Sequence, residues 1–134
     1  MKQVTRRNVI ILLVVTCLYC LNRFWLKKVI LLPTIGYILR CHFNDFLAGT
    51  AIIAYINLML SLSKYRGKEL NTLPMGIVVS FACGMLWEYL LPVIVPHGVS
   101  DFLDVVAYML GGTVYILLSR YCVLSKKIGG NTKS

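Results

Sequence analysis

Five polar residues set into apolar surroundings are the ones in this chain that could do chemistry: His42, Asp45, Glu88, Asp101 and Asp104. Glu88 falls inside the stretch WEYLLPVIVP, about two helical turns from its end, too deep for a short side chain to reach water by snorkelling. An ionisable group at membrane depth is costly to keep and marks a functional site by default. It either pairs with a basic partner such as Arg40, carries a proton, or lines a polar cavity. Carboxylates suit a cationic group or a hard divalent ion, and imidazole from His42 or His97 would extend the set to zinc. No H-E-x-x-H, G-x-S-x-G, P-loop or dinucleotide fingerprint is present, so no motif assigns a metal, a cofactor or nucleotide-driven chemistry.

Each of these residues also has a plainer use. Asp101 can cap a helix, with Asp104 then at its third position facing free N–H groups. Asn44 and Asp45 can serve another helix in the same way. Cys17 and Cys20 form a CxxC in an apolar helix, but no second pair exists to relay electrons. All five cysteines read as small buried apolar residues.

The elements that must position the polar residues are membrane-spanning helices. Of 134 residues 58% are hydrophobic and 14% charged, with a mean hydropathy of +0.76; a soluble domain carries about a quarter charged residues. The expected fold is an all-α integral membrane bundle, a single transmembrane domain over 1–134. Its four transmembrane helices fall at about 8–26, 44–63, 73–95 and 101–124. Lys2, Arg6 and Arg7 before the first apolar run resemble a signal sequence without a cleavage site, hence an uncleaved anchor. Val29–Leu39 is too short to span and is interrupted by Pro33 and Gly36, which predicts an interfacial or re-entrant segment after helix one.

Gly76, Ser80 and Gly84 recur every fourth residue and lead to Glu88, a small-residue stripe for close helix packing. It could pack within the chain or against a second copy, so a homo-oligomer stays open. Thr72 is placed to cap helix three and Pro74 to sit in its first turn. Pro92 and Pro96 end or kink it. Asp101, Asp104, Tyr108, Gly111 and Tyr115 share one face of helix four, with Gly111 a further packing residue.

The net charge of +9 comes from short basic clusters flanking apolar runs. That is the pattern of orientation signals and headgroup contacts, and it lacks the interleaved aromatics of a nucleic-acid surface. The expected partner is therefore the lipid bilayer and not nucleic acid. The N-terminus, the 64–68 loop and the C-terminus share one side and hold most of the 14 Lys and Arg, which predicts that both termini are cytoplasmic. With four spans, the start of helix two, the end of helix three and the start of helix four share the other side. His42, Asp45, Glu88, His97, Asp101 and Asp104 then converge there, and of the acidic residues only Glu69 is left behind.

Glu88 late in one span, followed by Asp104-x-x-x-Tyr108-x-x-Gly111 opening the next, resembles the VanZ-like family of small bacterial membrane proteins. That family carries a glutamate in the penultimate span, then an aspartate followed by asparagine four residues on and glycine seven on. Tyr108 stands where asparagine is usual. His42 and Asp45 resemble the family's polar opening of its second span but differ in order and spacing. The resemblance implies a four- or five-helix bundle in a bacterial envelope and carries over Glu88, Asp104 and Gly111.

Three functions are compatible with this reading. The first is a non-enzymatic, VanZ-like multi-pass protein of the cell membrane. Its outward-facing acidic site, built from Glu88, Asp104, Asp101, Asp45 and His42, would engage an envelope lipid, a lipid-linked precursor or a glycopeptide antimicrobial. The second is a membrane-embedded, metal-assisted hydrolase of a lipid or envelope precursor. The third is a proton- or ion-coupled transport component with Glu88 titrating in the bundle.

Overall fold

The computed structural model describes residues 2–26, 28, 33–64, 67–94 and 101–130. The helices in order are α1 (Lys2–Leu21), α2 (Pro33–Cys41), α3 (Phe43–Leu62), α4 (Leu73–Met85), α5 (Leu91–Ile94) and α6 (Phe102–Gly130). Two π-helical turns extend them: Asn22–Leu26 prolongs α1, and Leu86–Leu90 fuses α4 to α5. Among the described residues there is no strand.

Four stretches are long and apolar enough to cross a membrane: Gln3–Leu26, Phe43–Leu62, Leu73–Ile94 and Phe102–Val123. The protein is thus an all-α membrane protein. At 1.5 Å per residue the nine residues of α2 reach about 14 Å. That is less than half of a bilayer core of roughly 30 Å; residues 29–32 of the segment expected to be interfacial or re-entrant lie outside the described residues.

The first helix starts earlier than its apolar run, because polar residues at its beginning have partners. Thr5 Oγ1 meets Ser61 Oγ at 3.1 Å, and Arg7 Nη2 donates to Glu69 Oε2 at 3.1 Å. The second span also starts differently from expectation. The residue before α3 is His42, whose αR backbone carries the chain almost continuously out of α2, with its N–H donating to Ile38 O at 2.9 Å. A helix already under way has few free N–H groups, so neither Asn44 nor Asp45 stands at the cap position. Asn44 Oδ1 instead accepts from Asn22 Nδ2 at 2.9 Å.

Thr72 does precede α4 with extended backbone (ψ 143°) but makes no side-chain capping bond. Pro92 does not end the helix. Its ring removes one backbone donor and crowds the carbonyl four residues back, and the π-helical turn at Leu86–Leu90 takes up that misfit before α5 continues. Pro96 and His97 lie outside the described residues.

The bundle is built around α6. Of its span 44% is buried within the protein, against 11% for the first span and 12% for the third. It packs on α3 and α4, while α1 packs on α3. Small residues set both crossings with α6. A Cβ on Gly49 would land on the Tyr108 carbonyl, and one on Gly111 would land on the Phe46 carbonyl, so α3 and α6 touch backbone to backbone. Thr50 Oγ1 seals that contact by donating to Gly111 O at 2.9 Å. On α4, Gly76 faces Ile116, Ser80 faces Gly112, and Gly84 faces Val105 and Tyr108. The small-residue stripe is therefore used inside the chain. Without a hydrophobic force between helices in lipid, such close packing is what holds a bundle together.

Candidate carboxylate and histidine site

At one end of the bundle the start of α3, the end of the α4–α5 helix and the start of α6 come together. His42 enters from the α2–α3 junction, where Tyr37 packs edge-on against its ring with centroids 5.8 Å apart. Its Nδ1 lies 2.7 Å from Asp104 Oδ1. A carboxylate only accepts, so Nδ1 is the donor and carries the hydrogen. His42 Nε2 is buried with no hydrogen-bond partner among the described residues. A histidine whose one nitrogen is held by a carboxylate has a fixed ring orientation, the arrangement that commonly presents the other nitrogen to a ligand.

Asp101 precedes α6 and caps it. Its Oδ1 accepts from the Leu103 N–H at 2.9 Å, and the Asp104 N–H donates to Asp101 O at 3.2 Å. Asp104 thereby sits in the first turn, where free N–H groups and the helix dipole favour a negative side chain. Capping does not exhaust Asp104, however, because it also holds His42, and the Asp45 carboxyl lies close enough to interact with it electrostatically. Glu88, in the π-helical turn, reaches over the start of α6, with Oε2 3.5 Å from the Asp101 N–H. The side chain of Arg40, the basic partner considered for Glu88, lies outside the described residues.

His42, Asp45, Glu88, Asp101 and Asp104 are thus brought into one cluster, all half-buried. Glu69 is at the opposite end with Arg7. His42, Asp101 and Asp104 each offer one donor atom, and these atoms lie within 4.8 Å of one another. The sequence assigned no metal site, but this set has the oxygen and imidazole donors and the spacing to hold a divalent cation. Tyr108, read as a packing residue, is buried beneath the cluster between Gly49 and Gly84. Gly76, Ser80 and Gly111 lie further along the same crossings, against Ile116, Gly112 and Phe46.

A second polar network was not foreseen. Tyr115 Oη donates to Asn8 Oδ1 at 2.6 Å and accepts from Asn57 Nδ2 at 2.9 Å, all three fully buried. Asn57 also takes both backbone groups of Leu70, donating to its carbonyl at 3.1 Å and accepting from its N–H at 2.7 Å. The available signal was single asparagines inside apolar runs, which must find partners where no water does. Cys17 and Cys20 are exposed on α1, and none of the five cysteines is in a disulfide.

Comparison with protein-family models, with curated proteins and with solved structures finds no match to the chain.

Proposed function

We propose that this is a VanZ-like, non-enzymatic multi-pass protein of the cell envelope whose carboxylate–histidine cluster faces outward and holds the cationic part of an envelope lipid, a lipid-linked precursor or an antimicrobial compound. The observation that carries the reading is the gathering of four carboxylates and one imidazole from three helices around the His42–Asp104 hydrogen bond. Outward orientation rests on the excess of Lys and Arg at the other end. The cluster sets four carboxylates around a single imidazole, a balance that favours a positively charged guest. Glu88→Gln and Asp104→Asn should insert normally yet lose the glycopeptide-susceptibility phenotype of the wild type. Full activity in both variants would sink the reading.

A second reading has its own support in the 4.8 Å donor set of His42, Asp101 and Asp104. A bound divalent cation would present a positive centre to a phosphate and could activate water, making the protein a metal-assisted hydrolase. Release of phosphate from a lipid-linked precursor, abolished by a chelator, would favour it over the first.

A further inference from the structure

At the Glu69 end of the bundle, α1 and α6 meet through the Asn8–Tyr115 hydrogen bond. Toward the helix ends beyond it, the space between them is a groove of about 770 Å³. There α1 packs on α3, while α6 packs on α3 and α4. Its walls are Val4, Ile10, Ile11, Leu118 and Tyr121, and Arg6 and Arg7 line it near the start of α1.

Charge selects the occupant. Arg6 is exposed and makes no ion pair among the described residues. Arg7 gives Nη2 to Glu69 at 3.1 Å, but its Nε is buried without a hydrogen-bond partner among the described residues. Lys64, Lys68 and Arg120 are on the same end, and Glu69 is its one acid. A second copy of the chain would bring a like-charged end to this place. A molecule with an apolar tail and an anionic head matches both halves of the groove. Basic pockets between spanning helices are suited to anionic headgroups.

We propose that the α1–α6 groove is a binding site for an anionic phospholipid, with an acyl chain along Ile10, Ile11 and Leu118 and the phosphate against Arg6. The site is at the opposite membrane face from the carboxylate cluster and does not depend on what that cluster binds. Detergent-purified protein would be titrated with phosphatidylglycerol or phosphatidylcholine of identical acyl chains and read by native mass spectrometry. Wild type should retain phosphatidylglycerol at least tenfold better. Arg6→Gln, a change at an exposed position, should bring the two lipids close to parity with the thermal midpoint unchanged. Leu118→Trp should weaken both lipids by filling the groove. Equal retention of the two lipids by wild type, or an Arg6→Gln variant indistinguishable from it, would overturn the proposal. So would dimers appearing in place of lipid adducts.

Discussion

His42 Nδ1 and Asp104 Oδ1 are 2.7 Å apart although 62 residues separate them in sequence, so one hydrogen bond pins the start of α3 to the first turn of α6. Hydrogen bonds to a charged acceptor contribute roughly 1.5–3 kcal/mol, and this pair is mostly shielded from water. A double-mutant cycle of His42→Gln and Asp104→Asn, followed by unfolding in detergent, should give a coupling of about 1–2 kcal/mol. Additive effects would mean that the two side chains act separately and that the cluster is not one site.

Cation binding divides the cluster further. His42, Asp101 and Asp104 supply the donor atoms that lie within 4.8 Å of one another, and Glu88 is outside that set. If an ion is held there, Mn²⁺ bound to wild type and followed by electron paramagnetic resonance should weaken at least tenfold in Asp101→Asn and in His42→Gln. Glu88→Gln should bind it within a factor of a few. Equal loss in all three would place the ion on the whole cluster, and no binding in wild type would leave the cationic-ligand reading alone.

The glycines at the helix crossings should not respond equally to alanine. A Cβ on Gly49 or Gly111 meets a backbone carbonyl that cannot move without moving its helix, whereas one on Gly76 meets the Ile116 side chain at 2.7 Å. Alanine gains about 0.8–1 kcal/mol of helix propensity over glycine, and overpacking costs about 1–3 kcal/mol. Gly76→Ala should therefore be the least destabilised of the three, because a side chain and not a backbone carbonyl has to shift. Gly49→Ala and Gly111→Ala should be clearly destabilised, by about 2 kcal/mol or more, in thermal unfolding of the purified protein. Near-neutral outcomes for Gly49 and Gly111 would show that α3 and α6 do not touch at the backbone.

What could be read from the chain follows the range of each interaction. The four spans were legible because length and hydropathy are local properties, and so was the Gly76–Ser80–Gly84 stripe, whose fourfold spacing lies on one helix. That His42, Asp45, Glu88 and Asp104 share a membrane face followed from counting crossings. The bond between His42 and Asp104 did not, since parity gives a side but not a distance. Helix boundaries failed where a partner distant in sequence decides them: Arg7 and Thr5 hold the start of α1 through Glu69 and Ser61. Asn8, Asn22 and Asn57 carry no pattern at all, because a lone asparagine in an apolar run is defined only by the group it meets on another helix.

The Asn8–Tyr115–Asn57 chain offers the sharpest test of that last point. Tyr115 is fully buried and its hydroxyl makes both bonds, so Tyr115→Phe removes them at nearly constant shape. Hydrogen bonds between spanning helices average about 0.6 kcal/mol and reach about 1.7. Here the loss also strands Asn8 Oδ1, and a buried polar atom left alone costs about 1–3 kcal/mol. Asn8 Nδ2 is already without a partner among the described residues, so nothing there compensates for the loss. Tyr115→Phe should destabilise by about 1–3 kcal/mol. The same change in an Asn8→Leu background should cost less, because there the amide is no longer present to be stranded. If the two backgrounds respond equally, α1 is held to the bundle by its packing on α3 and not by this network.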